Sequence, residues 1–151
     1  MPTPTFICKP FGELTTHELY ALLRLRSEIF VVEQHCVYQD VDGYDQQAMH
    51  LLMNISGELK AYSRLIPPGL KYESASLGRV VTSKTVRGGG YGKALMIESI
   101  KQCKAHWPDA AVTISAQAYL EKFYRELGFK SESEPYLEDD IPHIQMRLER
   151  A

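Results

Sequence analysis

Hydrophobic and polar residues recur along the chain with two spacings, one typical of strands and one typical of helices. Short runs of apolar and β-branched residues predict strands. Apolar residues three and four positions apart predict helices, the first of which opens with a capping box formed by Thr15 and Glu18. The predicted strands cover 5–8, 50–55, 58–66, 77–82, 111–116, 129–133 and 141–148, with helices after Thr15, from Lys93 and around Phe123.

The order of these elements, β-α-ββ-β-α-β-α-β-β, predicts the fold class. The segments 50–55 and 58–66 predict a hairpin around Ser56 and Gly57, whereas 77–82, the next helix and 111–116 predict a βαβ unit with parallel strands. We therefore expect an α/β (α+β) fold in which helices flank a mixed central sheet. Between the first helix and the hairpin, residues 35–49 are loop-like. At 151 residues, we expect the range 1–151 to form a single domain.

Composition narrows the classes of function. The formal net charge is −2, so nothing predicts general nucleic-acid binding. No apolar run approaches the roughly 20 residues that span a bilayer, so we expect no membrane association, and the first residues lack a signal-peptide pattern. Three cysteines without close spacing predict reduced thiols in a cytoplasmic protein, and the histidine spacing predicts no metal site.

The segment 77–96 contains the most informative pattern of the chain. A predicted strand runs directly into four glycines within five positions, and good helix formers follow. The first N–H groups of a helix lack internal partners and lie at the positive end of the helix dipole. Arg87 and Lys93 add full positive charges to this loop. The segment therefore predicts a site for a phosphate or pyrophosphate.

The spacing of the glycines distinguishes between phosphate-binding loops. A Walker A loop needs a hydroxyl residue after Gly92-Lys93, where this chain has Ala94, and the glycine spacing of the dinucleotide fingerprint also fails. An RGG-type RNA segment would repeat and be disordered, whereas this loop is single and lies between a strand and a helix. The pattern that remains is Arg87-x-x-Gly90-x-Gly92.

This pattern resembles the acyl-CoA pyrophosphate loop of the GNAT (GCN5-related) N-acetyltransferase superfamily, Q/R-x-x-G-x-G/A. A second segment, 117–129, resembles the superfamily motif N-x-x-A-x-x-F-Y-x-x-x-G-F, although Gln117 stands where many members have Asn and Ala118 is not at the usual alanine position. Segments in 26–42 and 141–144 are similar to the ElaA-like branch. The resemblance thus covers nearly the whole chain.

The resemblance implies the GNAT acyl-CoA N-acyltransferase fold and acetyl-CoA as co-substrate. The N–H groups of the glycine loop would hold the pyrophosphate, and the family's splayed central strand would hold the pantetheine arm. A backbone N–H of Val81 or Thr82 could also stabilise the oxyanion. The residues expected to bind acetyl-CoA are Val80, Val81, Thr82, Arg87, Gly88, Gly89, Gly90, Tyr91, Gly92, Lys93 and Gln117.

The implied reaction is direct transfer of the acetyl group to a primary amine, without an acyl-enzyme. An alkyl ammonium has a pKa near ~10.4, so a base must help to remove its proton at neutral pH. The candidate bases are Glu33, His50, His143 and Asp40, of which Glu33 lies where the family places an acid. The structural alternative for Glu33 is an ion pair with Arg26 or Arg79, and for either histidine it is packing.

The resemblance places Tyr124 at the family's general-acid position, where it would protonate the departing thiolate. The alternative is that Tyr124 packs on the apolar face of its helix. Acidic residues suggest a cationic small-molecule or peptide acceptor: Asp40, Asp42, Asp45, Glu138, Asp139 and Asp140. The competing functions are a non-catalytic acyl-CoA sensor and synthesis of the acyl-homoserine-lactone type. Homodimers are common in the family, so a homodimer is a possible state of this protein that its sequence does not reveal.

Overall fold

The computed structural model describes residues 3–150 and has eight strands and three α-helices in that range. A 3₁₀ turn at Asp45–Gln47 precedes the first hairpin, and no helix of the described range is long and apolar enough to cross a membrane. The elements are β1 (Thr5–Pro10), α1 (Thr16–Arg26), a π-helical continuation (Ser27–Glu33), β2 (Met49–Ile55), β3 (Glu58–Ile66), β4 (Ala75–Thr82), α2 (Tyr91–His106), β5 (Val112–Gln117), α3 (Glu121–Glu126), β6 (Lys130–Ser131), β7 (Tyr136–Glu138) and β8 (Ile141–Leu148).

The eight strands form one sheet in the order β1-β2-β3-β4-β5-β8-β6, with β7 also paired to β8. Every neighbouring pair is antiparallel except β4 and β5. This parallel pair is very short, because only Ala75 with Val112 and Ser76 with Thr113 are in register. Beyond Ser76 the two central strands diverge, and the sheet opens at its middle.

Apolar residues pack on both faces of the sheet. On one face, Leu22 and Ile29 of the first helical region pack against Leu52, Tyr62 and Val81. On the other face, α2 and α3 cover a larger cluster. Burying these side chains against the two faces is the main favourable contribution to folding. It also fixes helices on either side of the gap between β4 and β5.

The predicted fold class is confirmed, and most element boundaries agree to within two residues. The capping box is present: the Glu18 N–H donates to Thr15 Oγ1, and the Thr15 N–H donates to Glu18 Oε1. Gly128 follows α3 with a φ of 105°, the left-handed conformation that commonly ends a helix. The second helix begins at Tyr91, two residues before the predicted start.

The prediction for the C-terminal strands is wrong in two respects. The predicted strand 129–133 is reduced to Lys130–Ser131, and β7 was not predicted. Because β7 has only three residues, two of which are exposed, it lacks the alternation that identifies a strand. After α1 the chain continues directly into the π-helical segment Ser27–Glu33.

Candidate active site

The divergence of β4 and β5 opens a cavity of about 680 Å³ in the middle of the sheet. Strands β4 and β5 form its walls, and the lining also includes residues of α2, α3, the π-helical segment and the β7–β8 hairpin. Of the residues predicted to act in the site, those that line the cavity are Glu33, Val80, Val81, Thr82, Arg87, Gly92, Gln117, Tyr124 and His143. Residues from distant parts of the chain therefore meet at this gap.

A β-bulge interrupts β4 where it borders the cavity. Arg79 and Val80 together oppose Ser63 of β3, since the register moves from Tyr62–Val81 to Arg64–Gly78. Arg79 has a φ of 50°, which is unfavourable for a residue with a side chain. Bulges and left-handed residues of this kind occur often beside functional sites. The bulge thus takes two cavity-lining residues out of the regular ladder.

The glycine loop leads directly into α2. Gly88 and Gly90 have φ values of 85° and 81°. A Cβ at either position would meet no heavy atom within 4 Å, so the left-handed backbone, and not crowding, requires glycine there. The Ala94 N–H donates to the Gly90 carbonyl at 3.2 Å. The N–H groups of Gly92 and Lys93 precede this first helical bond, so they suit an anion.

Arg87 of this loop forms a two-pronged ion pair with Glu33. One guanidinium nitrogen donates to Glu33 Oε2 at 2.6 Å and another to Oε1. The hydrogen bonds from Arg87 lower the pKa of Glu33, and the pair raises the pKa of Arg87. The alternative in which Glu33 pairs with Arg26 or Arg79 is wrong, because the partner is Arg87. A carboxylate held in this way is a weaker base, and the role of Glu33 as the base stays a prediction.

Tyr124 lies in the cavity wall and is also packed. Its side chain makes edge-to-face contacts with Phe123 and Phe129, at centroid distances of 5.2 and 5.9 Å. Burial raises the pKa of Tyr124 to about 12, so its hydroxyl stays protonated at neutral pH. The two interpretations of Tyr124 from sequence are therefore compatible: one ring packs in the core and borders the cavity.

His143 also lines the cavity and is 7% exposed. The β5–β8 register places it opposite Gln117, at the end of β5. Its Nδ1 lies 2.7 Å from the Ile141 carbonyl oxygen. A carbonyl can only accept a hydrogen bond, so Nδ1 carries a proton and Nε2 is the basic nitrogen of the neutral ring. The role of His143 in catalysis stays a prediction.

The other two candidate bases, His50 and Asp40, form hydrogen bonds outside the cavity. His50 is fully buried, with Nδ1 2.7 Å from the Tyr62 hydroxyl and Nε2 2.8 Å from the Asp45 carbonyl. Burial lowers the pKa of His50, and the ring lies outside the cavity wall. The carboxylate of Asp40 is also engaged in a hydrogen bond, because its Oδ2 accepts from Arg26 Nε at 2.8 Å. These contacts favour structural roles for both residues.

The acidic loop belongs to a buried ionic network that the sequence did not predict. Asp45 Oδ1 accepts from Arg26 at 2.8 Å and from Arg64 at 3.0 Å. The other carboxylates pair in the same way, and the full set is Arg26, Arg64 and Arg79 with Asp40, Asp42 and Asp45. Three guanidinium groups face three carboxylates, so these acids do not form the predicted cationic-acceptor surface.

The comparisons with known proteins agree with this geometry. The sequence-family model described as acetyltransferase (GNAT) domain matches residues 25–150 of this chain. Protein ElaA of Escherichia coli is 45% identical over 140 residues, which cover 91% of this chain and 92% of ElaA. The UPF0039 protein C11D3.02c of Schizosaccharomyces pombe is 42% identical over 146 residues, 95% of this chain and 96% of that protein. The chain therefore belongs to the GNAT acetyltransferase family, and these relatives support the ElaA-like branch.

Solved structures share the fold over almost the whole chain. An acyl-CoA N-acyltransferase from Pseudomonas aeruginosa is 46% identical with a TM-score of 0.93, and the match covers 99% of this chain and 100% of that one. The structure of Escherichia coli ElaA is 41% identical with a TM-score of 0.92, and the match covers 97% of this chain and 100% of that one. The acyl-homoserine lactone synthase BjaI is 18% identical with a TM-score of 0.75, over 97% of this chain and 82% of that one, which shows a shared fold alone.

Proposed function

We propose that this protein is an acetyl-CoA-dependent N-acetyltransferase that acts directly on a primary amine. The observation that carries the proposal is the gap between β4 and β5, which lies beside the glycine loop and is bordered by Tyr124 and His143. A substrate with an anionic end, an extended arm and a reactive tip matches a cavity of this construction. Family membership supports acyl transfer, and acetyl-CoA as the acyl donor is part of the proposal.

The residues of the chain fit such a co-substrate. The N–H groups of 88–93 and the Arg87 guanidinium would hold its pyrophosphate. The edge of β4 at Val80, Val81 and Thr82, together with Gln117 of β5, would hold its pantetheine arm. Acetyl-CoA supplies the acetyl thioester when it is bound. No metal is needed for this transfer, because thioesters are already activated toward amines.

Two side chains would carry the proton transfers. His143 Nε2 accepts the proton that the acceptor ammonium must lose, and the freed nitrogen lone pair forms the new C–N bond. Tyr124 donates its hydroxyl proton to the sulfur as the C–S bond breaks, and the amide nitrogen returns a proton to the phenolate. The net products are an amide, a thiol and one proton, which leaves through His143.

In this proposal the acceptor is a cationic small molecule or peptide, but fewer acidic residues support that charge preference than the sequence suggests. Glu138 and Asp139 line the cavity, whereas Asp40, Asp42 and Asp45 are neutralised by arginines.

A non-catalytic acyl-CoA sensor is the alternative function, and it would not require Tyr124 or His143 to border the cavity. A homodimer and a cytoplasmic location also stay predictions. Three free cysteines are compatible with that location.

A thiol-release assay over a panel of primary amines tests this function. The parent protein should release CoA in the presence of at least one cationic amine and not in its absence. An acyl-CoA sensor would bind acetyl-CoA and release no thiol with any acceptor, which would contradict the proposal.

The ion pair between Arg87 and Glu33 gives a test of the co-substrate loop. Arg87→Ala should weaken acetyl-CoA binding by about tenfold or more, since a hydrogen bond to a charged group contributes roughly 1.5–3 kcal/mol. Glu33→Gln is the matched variant, because it frees Arg87 for the pyrophosphate and should leave Kd unchanged or lower. Isothermal titration with acetyl-CoA measures both. If Glu33→Gln leaves Kd intact but lowers kcat a hundredfold, Glu33 is the base after all.

A further inference from the structure

Glu138 lies beside the basic nitrogen of His143. The β7–β8 register pairs Glu138 with Ile141 and Tyr136 with His143, so Tyr136, Glu138 and His143 lie on one face of the β7–β8 hairpin. Glu138 Oε2 is 3.4 Å from His143 Nε2. Because Nδ1 is committed to the Ile141 carbonyl, Nε2 is the nitrogen that can exchange a proton with this carboxylate.

The second oxygen of Glu138 is held by a directional chain of hydroxyl groups. Ser115 Oγ donates to Glu138 Oε1 at 3.1 Å, so the 2.5 Å contact between Ser115 Oγ and the Tyr136 hydroxyl must use the tyrosine proton. The Tyr136 ring in turn stacks on the His143 ring, with centroids 6.3 Å apart. The four side chains from β5, β7 and β8 thus fix one another.

The negative charge of Glu138 lies where it can stabilise a proton that His143 Nε2 accepts. An imidazole lone pair and a carboxylate repel each other unless a proton lies between them. Among residues 3–150, no Lys or Arg forms an ion pair with Glu138. The titratable groups nearby are Tyr136 of β7, Asp139 of the β7–β8 turn, and Lys71 and Tyr72 before β4, which interact with Glu138 electrostatically.

We infer that Glu138 is a positioning residue that acts through His143 and stabilises the proton that Nε2 accepts from the acceptor amine. This inference rests on the proposed function. The side chain of His143 is 9% exposed and that of Glu138 is 47% exposed, so the pair also joins the cavity to solvent. The proton leaves the ammonium nitrogen for Nε2, passes from Nε2 to Glu138 Oε2, and leaves that oxygen for water. Each transfer breaks one bond to hydrogen and forms one.

Ring NMR of His143 tests this inference without any acceptor substrate. The parent should show a neutral ring protonated at Nδ1, and Glu138→Gln should move the titration midpoint of that ring to lower pH by about one unit, because a neighbouring negative charge is lost. Ser115→Ala should move it in the same direction by less. Asp140→Asn, in the same turn, should not move it, and His143→Gln identifies the resonance. An unchanged midpoint in Glu138→Gln would overturn the inference.

Kinetics separates this inference from the proposed function. Glu138→Gln should lower kcat about tenfold and move the acidic limb of the kcat/KM profile to lower pH, with the Kd for acetyl-CoA unchanged. In the His143→Gln background the same substitution should have no further effect, since the two residues act as one unit. If kcat and the profile of Glu138→Gln match the parent, the inference fails and acetyl transfer stands. If no amine is acetylated, the proposed function fails, and the ring titration still decides the contact.

Discussion

Replacing Tyr124 with phenylalanine should lower kcat by about 10² to 10⁴-fold, the range expected for loss of a general acid. The substitution removes only the hydroxyl, so the edge-to-face contacts with Phe123 and Phe129 should persist. We therefore expect the Kd for acetyl-CoA and the thermal midpoint to change little. Steady-state thiol release, run beside calorimetry, separates the loss of kcat from a loss of binding.

The pH dependence of the parent gives an internal check on Tyr124. Because burial raises its pKa to about 12, the hydroxyl proton is available throughout the neutral range, and kcat should not fall on account of Tyr124 below about pH 11. Tyr20→Phe is the matched control, since Tyr20 is 72% exposed and lies outside the cavity wall. Thiol release by Tyr124→Phe within threefold of the parent would remove Tyr124 from the mechanism.

Asp45→Ala should lower the free energy of unfolding by about 3–5 kcal/mol, the effect of removing one partner from a buried ion pair. Asp45 is 5% exposed and accepts hydrogen bonds from both Arg26 and Arg64, so its loss leaves two buried guanidinium groups short of a partner. Urea unfolding measures the change. Asp109→Ala provides the control, because the Asp109 side chain is 96% exposed, and its effect should stay within about 0.5 kcal/mol.

Acid should weaken the same network. Burial alone would raise the pKa of Asp42, but hydrogen bonds and charge from Arg64 outweigh it and lower the pKa to about 2, from 3.8 in the unfolded chain. A lowered carboxylate pKa stabilises the fold above the unfolded value, and that contribution is lost as the pH falls through the folded value. The contribution of the Asp42–Arg64 ion pair to the free energy of unfolding should therefore be kept above about pH 4 and lost between about pH 4 and 2. Equal acid sensitivity in Asp42→Asn would contradict this assignment.

The network also bears on the site. Arg79 adopts a left-handed backbone at the bulge of β4, and its side chain reaches Asp40 Oδ1 at 2.7 Å and Asp42 Oδ2 at 3.1 Å. These contacts offset the strain of the bulge, because the ionic network would lose partners if the backbone relaxed. Through Arg79, the network thus holds the strand edge that we propose for the pantetheine arm.

Local chemistry explains what the sequence could predict. The capping box, the left-handed Gly128 and the strand–glycine–helix segment each depend on residues a few positions apart, so their patterns are visible along the chain. Resemblance to a family then supplied candidates such as Tyr124 and His143, which do border one cavity. The predicted element boundaries that the structure confirms belong to the long elements with regular hydrophobic patterns.

Contacts between distant residues explain what could not be predicted. Arg26 and Arg64 meet Asp45 across 19 positions, and Arg87 meets Glu33 across 54, so no local pattern identifies these pairs. The sequence of the acidic loop reveals only its charge, which is the same whether a carboxylate faces solvent or a buried guanidinium. In the sequence, Glu138 is one acid among the six that suggest a cationic acceptor, because its contact with His143 depends on the short β7, which has no recognisable strand pattern.

Calorimetric titration of acetyl-CoA into the parent and Gly90→Val tests the central claim most directly. Gly90 immediately precedes α2 at the proposed pyrophosphate site and has a φ of 81°. Gly57 has a φ of 82° in the turn between β2 and β3, so Gly57→Val imposes the same backbone strain away from the cavity. We expect one acetyl-CoA per chain for the parent and Gly57→Val, and binding weakened at least about tenfold in Gly90→Val, the factor that corresponds to ~1.4 kcal/mol. A parent that does not bind, or a Gly90→Val that binds as well as the parent, would contradict the account.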